Sequence, residues 1–545
     1  MKMRGAVGVI YGRTGSTEFK FAVYNPNDVR RTDYVKVWHD TDGWVLCQVI
    51  DVEAVSRNNS IDALLEDGQI TDEIYLARAV VVGTKDDGGL LKTPKTPFSP
   101  GEKVFLADKE LISATLGLGS GNAYIGLLED HEVEVMLDVN SLVQKHCCIL
   151  AKTGSGKSYT AGVIIEELLD KDVPLLIIDP HGEYCSMKEP NDSKEELEAM
   201  SRYGIKPSGY MEKIEIFVPP GSPFEAVADN ILTLDGKNLT ASDLIKLLGM
   251  ENSPSQCSIL YQGIKAAKKR GDYVIQDIIE EIEYIKSNTR WSVIGALEQL
   301  DDSGLFSGEP TPISTLLEQG KASIIDMRGV NPEVQDLIVS RVCHEVFELR
   351  KVNEVPPGMI IVEEAHNFCP ERGYGKASST SVMRTIASEG RKFGLGLMII
   401  SQRPARVDKN VISQCNTQII LRVTNPNDLQ AIKKSVEGLT GEMVDEIRRL
   451  PPGTALVVST DIEKPILVDV RIRKSKHGGS SVTVVEEKED TKSMIQRKLA
   501  RPEKKRPTIR KSDESLKKDG KREKKSTEFE EKKKGNLFRK IFGGG

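Results

Sequence analysis

The sequence predicts an α/β fold: a mostly parallel sheet with helices on both faces, preceded by a small β-barrel, interrupted by a helical subdomain and followed by a charged, disordered tail. Three observations lead there. Short apolar runs alternate with helical spacing between residues 136 and 473, and strands of that kind need cover on both faces, which helices flanking a parallel sheet supply. Upstream, β-branched segments recur at short spacing between turn residues. Downstream of 474, Lys and Glu crowd out aliphatic residues, so little apolar surface remains to offset the entropy of ordering the chain.

Taken in order, residues 1–135 hold 18-EFKFAVY-24, 33-DYVKVWHD-40, 44-WVLCQVIDV-52, 75-YLARAVVVG-83 and 102-EKVFLAD-108, punctuated by Gly, Asn, Asp and Pro. That pattern fits a barrel or sandwich used for packing and assembly. Residues 136–186 and 321–473 form the sheet domain, with strands at 147–150, 173–179, 323–327, 359–362, 397–401, 418–423 and 454–459 and helices at 157–169, 331–351 and 380–392. Between 187 and 320 the strand signal fades and helical spacing takes over at 242–250, 259–270, 274–286 and 293–301, which predicts an inserted helical subdomain. The tail, 474–545, has SSVTVV as its last strand-like piece and ends in 536-NLFRKIFGGG-545, a short docking peptide or a frayed end.

The 545 residues are 39% hydrophobic and 29% charged, ordinary for a globular chain of three or four domains at roughly 150 residues each. Apolar runs fall far short of the roughly 20 residues that a membrane helix needs, and the N-terminal apolar stretch breaks too early for a signal peptide. No membrane insertion is expected. Eight cysteines, two of them adjacent at Cys147 and Cys148, lack C-x-x-C pairing; they read as small core residues in a reducing, cytoplasmic setting, with no zinc or iron–sulfur site. The net charge of −6 hides an asymmetry: the tail holds 23 Lys/Arg against 12 Asp/Glu, which leaves the body at −17. A ring can keep positive charge on an inner channel, so an acidic body does not exclude nucleic acid, but bulk charge lends it no support.

The stretch 151-AKTGSGKS-158 lies between an apolar strand and a helix and fits the phosphate-binding pattern G-x-x-x-x-G-K-[ST], with Ala151 at the first glycine. Gly154 and Gly156 let backbone N–H groups turn inward around phosphate oxygens, and the helix N-terminus adds partial positive charge. Lys157 would reach the β- and γ-phosphates, and the Ser158 hydroxyl would ligate Mg2+. The predicted nucleotide-binding set is Thr153, Gly154, Ser155, Gly156, Lys157, Ser158 and Tyr159, and the implied cofactors are ATP and Mg2+.

In 359-MIIVEEAH-366 four apolar residues lead into two acids. This is the Walker B pattern, with Glu363 at the metal position and Glu364 at the position of the base that activates water. Glu363 is one methylene longer than the usual Asp, so the division of labour between the pair stays open. Gln402, in 401-SQRP-404, is a candidate sensor for γ-phosphate and water; a solvated strand end is its plainer reading. Arg384 and Arg391 share one helix face. Arg391 either complements the helix dipole or serves as an arginine finger for a neighbouring subunit. Asp179, His181 and Glu183 border the region without a fixed role.

In their order along the chain, AKTGSGKS, IIDPHGEY, IIVEEAHNF, SEGRKFGLGL and ISQRP resemble the HerA branch of the HerA/FtsK superfamily of DNA-translocating ATPases. The resemblance covers roughly residues 1–475. It implies a RecA-like P-loop core, a HAS-type barrel at the N-terminus and a homo-hexamer with nucleotide between subunits. It also implies that Arg391 acts in trans, that Lys145, just before the first core strand, contacts nucleotide, and that a segment near 460–473 braces the next subunit. Its implied partners are double-stranded DNA and a NurA-type nuclease, in DNA end resection and repair. For a motor of any kind, basic residues such as Lys376, on the loop after the Walker B acids, are expected to line the channel. Ala151, Glu363 and the long tail depart from the family pattern. The rival readings are a conjugation- or secretion-type coupling ATPase, and a nucleotide-gated assembly scaffold whose slow turnover ignores DNA.

Overall fold

The structure, a computed structural model, describes residues 5–56, 73–436 and 438–478. SSVTVV, most of the predicted tail and its terminal peptide lie outside the described residues. The N-terminal strands are β1 (Ala6–Ile10), β2 (Glu18–Val23), β3 (Tyr34–His39), β4 (Gly43–Ser56), β5 (Glu73–Lys85), β6 (Leu91–Lys92) and β7 (Lys103–Leu106). They pair in the order β2-β1-β7-β3-β4-β5-β6, and a β2–β5 pairing closes six of them into a barrel, which leaves no long open edge. Alternation does the packing: Phe19, Phe21 and Val23 of β2 point inward with Val35, Val37 and Val104, while their neighbours face out.

The second sheet has 12 strands in the order β13-β12-β16-β11-β17-β18-β10-β19-β20-β21-β8-β9. Its members are β8 (Ala123–Leu128), β9 (Glu134–Leu137), β10 (Cys147–Leu150), β11 (Leu175–Asp179), β12 (Ile214–Val218), β13 (Asn230–Ile231), β16 (Ala322–Asp326), β17 (Gly358–Val362), β18 (Leu395–Ser401), β19 (Thr417–Ile420), β20 (Thr454–Val458) and β21 (Ile466–Val470). β14 (Leu234–Asp235) and β15 (Phe306–Ser307) pair apart from it. From β13 to β19 every pairing is parallel; from β19 to β9 every pairing is antiparallel. In the parallel part Cys147 and Ile149 face the phosphate-loop helix (Lys157–Asp170), while Cys148 and Leu150 face helices Pro332–Lys351 and Thr380–Phe393. Burial on both faces is why these strands read as unbroken apolar runs.

Two placements differ from the sequence reading. Residues 123–137, which share the texture of the barrel, pair with β21 instead: Leu128 opposes Val468. β12 and β13, inside the stretch where the strand signal fades, extend the large sheet beyond β16. These strands are short, and the pairings that place them, β8 with β21 and β12 with β16, join residues about 100 or more positions apart, so local pattern carries no trace of them. Helices Ala241–Leu247, Pro254–Ala267, Ile275–Glu283 and Arg290–Asp302 do form a subdomain with its own core around Leu244, Leu260, Ile278 and Leu297. Arg341 to Asp243 (2.7 Å) and Lys246 Nζ to Ser378 Oγ (2.6 Å) tie it to the sheet domain. No described helix is long and apolar enough to cross a membrane.

A candidate nucleotide site at the carboxyl edge of the sheet

The parallel strands end at one edge, where the connecting loops can converge on a ligand. There β10 runs into residues 151–156. Gly154 (φ 76°) and Gly156 (φ 95°) both take left-handed conformations, which glycine adopts without a Cβ penalty. Ala151 is fully buried, and its N–H donates to the Ser401 carbonyl at the end of β18 (3.2 Å), while the Lys152 N–H donates to the Arg422 carbonyl (2.9 Å). Neighbouring strand ends thus pin the loop on both sides, and a small residue satisfies the first motif position. Gly156 is the N-cap of helix Lys157–Asp170 and offers no side chain to its first N–H groups, which leaves them available to an anion.

Lys157 ion-pairs with both acids of the Walker B pattern: with Glu363 Oε1, and with Glu364 Oε1 at 2.8 Å. Successive residues of a strand point to opposite faces, so two adjacent acids would not ordinarily meet one cation. Glu364 resolves this by leaving the strand in a left-handed conformation (φ 50°, ψ 45°). For a non-glycine residue that conformation is strained, and strain of this kind collects at functional sites. Burial disfavours the Lys157 ammonium, but the two carboxylates outweigh it and hold the group above its ordinary pKa. Glu363 and Glu364 are buried; among the described residues Glu364 Oε2 has no hydrogen-bond partner. A buried carboxylate oxygen without a hydrogen bond can take a further donor.

Around this centre, Thr153 Oγ1 donates to Gln402 Oε1, so the phosphate loop and the candidate sensor meet. Ser158 is half-buried in the first helical turn. Glu363, Ser158 and Glu364 are oxygen donors of the kind that Mg2+ takes. Asp179 is fully buried, and burial pushes it up to about 7. Its carboxylate accepts the backbone N–H groups of His181 (3.2 Å), Gly182 (2.8 Å) and Tyr184 (3.1 Å), so within this chain it shapes a turn. Residues that sequence reasoning missed stand close by. Tyr184 Oη donates to Glu363 Oε2, and His366 Nδ1 lies 3.1 Å from Ser401 Oγ and 3.2 Å from Glu364 Oε2. Burial holds the His366 imidazole below its usual pKa. Both stand inside quoted stretches, Tyr184 at the end of IIDPHGEY and His366 in IIVEEAHNF, but neither carries an assigned role there; His366 reaches Glu364 from two residues on, whereas only the return of the chain brings Tyr184 to Glu363.

Other predicted residues lie away from this centre. Lys145 precedes β10, where it bonds Thr460 Oγ1 (3.0 Å), and exposed Arg391 ends the helix that leads into β18. Both therefore sit at the amino edge of the sheet, a strand length of more than about 10 Å from the phosphate loop. Arg384, one helix face with Arg391, is clamped by Asp408. The Tyr159 hydroxyl accepts the Arg473 N–H (2.9 Å), and His477 packs edge-on against its ring at 5.4 Å. Tyr159 thus meets a strap, residues 471–478, that continues past the predicted domain edge at 473. Arg471 and Arg473 are fully buried against the phosphate-loop helix, and a Cβ at Gly162 would come 2.7 Å from the Arg473 guanidinium. The segment predicted to brace a neighbour is engaged with its own chain through Lys464 Nζ to the Val81 carbonyl (2.8 Å) and Lys85 to Glu463 (2.9 Å). Lys376 is exposed on the loop after the Walker B acids.

Comparison with known proteins gives two family matches: residues 7–87 match the HAS barrel domain, and residues 123–346 match the model described as Helicase HerA, central domain. A probable helicase of Methanocaldococcus jannaschii, MJ1565, is 28% identical over 517 residues, 88% of this chain and 93% of that one. The DNA double-strand break repair helicase HerA of Pyrococcus furiosus is 27% identical over 535 residues, 87% of this chain and 94% of that one. Among solved structures, VirB4 of Thermoanaerobacter pseudethanolicus aligns at a TM-score of 0.44 and 15% identity, covering 65% of this chain and 96% of that chain.

Proposed function

Because this chain belongs to the HerA family and is an ATP hydrolase of the helicase–translocase class, we propose that it drives double-stranded DNA through a homo-hexameric ring, working with a NurA-type nuclease in end resection. The observation that carries this reading is the Lys157–Glu363–Glu364 constellation at the carboxyl edge of the sheet. Lys157 would hold the β- and γ-phosphates in competition with its two carboxylates. Ser158 and Glu363 would hold Mg2+, which when bound neutralises charge on the phosphate oxygens. Glu364 then takes the proton of the attacking water, and Gln402, held at the loop by Thr153, senses the γ-phosphate.

Arg391 and Lys145 support a ring. At the opposite edge of the sheet they cannot serve their own phosphate loop, whereas head-to-tail association presents that edge to the next subunit's nucleotide. Steady-state ATP turnover should therefore rise on addition of linear double-stranded DNA. Arg391→Ala and Lys157→Ala, each inactive alone, should recover part of that turnover when mixed, because a mixed ring contains interfaces with both groups intact. Turnover that ignores DNA would favour the scaffold. Mixtures no more active than either variant would remove the trans role of Arg391.

A further inference from the structure

Tyr184 is fully buried although it closes a turn. The turn follows β11, the strand beside β17, and the Glu363 N–H donates to the Ile178 carbonyl of that neighbour (3.1 Å). Asp179 gathers three backbone N–H groups of the turn, the last of them from Tyr184 itself. On the outer side, Arg328 is clamped to Asp326, stacks on Phe224 at 3.6 Å and fills the space that a side chain at Gly182 would need. The backbone, fixed from both sides, aims the phenol at Glu363 Oε2, 2.7 Å away.

The contact makes the two acids unequal. Glu363 accepts a hydrogen bond on each oxygen, from Lys157 and from Tyr184, whereas Glu364 accepts one only on Oε1, from Lys157; among the described residues its Oε2 has no hydrogen-bond partner, and its neighbour there is His366 Nδ1 at 3.2 Å. A phosphate that draws Lys157 away would leave Glu363 still anchored by Tyr184, and Glu364 without a hydrogen bond and with only the His366 imidazole beside it. We propose that Tyr184 is a positioning residue that fixes the Glu363 carboxylate toward Mg2+ and thereby assigns Glu364 to water. The proposal rests on the hydrolysis reading above, and it settles between two adjacent glutamates what their order in the chain leaves open. Partners of this kind, one bond removed from a metal, commonly control affinity through ligand orientation.

Tyr184→Phe in the full-length protein keeps the buried ring and removes the donor. Two readouts decide: affinity for a fluorescent ADP analogue with and without Mg2+, and the Mg2+ concentration that half-saturates turnover. The expected result is Mg2+-free ADP affinity within about twofold of wild type and a Mg2+ half-saturation about tenfold higher in both assays. An unchanged Mg2+ half-saturation overturns the proposal. So does an equal loss of ADP affinity with and without Mg2+, which marks a general structural role. If the wild-type protein shows no Mg2+-dependent turnover, the hydrolysis reading falls, and the ADP titrations still decide the role of Tyr184.

Discussion

Glu364→Gln is expected to keep ATP bound and to lose turnover by at least about 100-fold, the lower end of what removing a positioned general base costs. The amide is close to isosteric, so the left-handed turn at residue 364 and the contact with Lys157 can persist while proton acceptance cannot. Single-turnover hydrolysis alongside equilibrium binding of the same nucleotide separates the two effects. Lys157→Ala should behave differently and weaken binding itself, because it removes the cation that the phosphates share with both acids. If Glu364→Gln still turns over at close to the wild-type rate, another group is the base. His366, 3.2 Å from Glu364 Oε2 and held below its usual pKa by burial, would then be the first candidate.

Glu166→Ala is expected to cost about 3–5 kcal/mol of stability, far more than a typical substitution, because it strands buried charge. Glu166 lies fully buried in the phosphate-loop helix and accepts hydrogen bonds from Arg471 Nη1 (2.8 Å), Lys474 N (3.0 Å), Ser475 N (2.8 Å) and Ser475 Oγ (2.7 Å). Arg471 also reaches Glu167 Oε1 (2.7 Å) and the Tyr124 carbonyl (2.9 Å). Without Glu166, buried Arg473 loses its ion-pair partner, buried Arg471 keeps only Glu167, which it shares with Lys474, and the strap loses its main anchor. Chemical denaturation should report the loss, and limited proteolysis should cut near residues 471–478 sooner than in wild type. A loss below about 1 kcal/mol would mean that the arginines find other partners or water.

Much of the sheet domain was legible in the chain itself because its signals are local. A strand buried on both faces needs a run such as 147-CCIL-150, and a phosphate loop needs glycines at fixed offsets before Lys157, whatever surrounds them. Residues 123–137 were less legible, since a two-faced hairpin looks alike in a barrel and at a sheet edge; the pairing of Leu128 with Val468 decides its place. The same holds for Tyr184. Its position in PHGEY suggests a turn, and nothing nearby in sequence says that the ring goes inward.

What the sequence by itself determined is the kind of protein: the order barrel, sheet, helical insertion, sheet; the loop that can hold phosphates; the two acids that follow an apolar strand. Each is written in spacing within a few residues, where backbone geometry alone links residue type to structure. Only the tertiary structure decided how those parts are used. It put both glutamates on Lys157 through one left-handed residue, gave Glu363 a second holder from the turn after the neighbouring strand, and carried residues 471–478 back across the phosphate-loop helix. It also set Arg391 and Lys145 at the far edge of the sheet. These relations join residues tens to hundreds of positions apart, and no local rule encodes them, because the chain meets itself there only after it has folded.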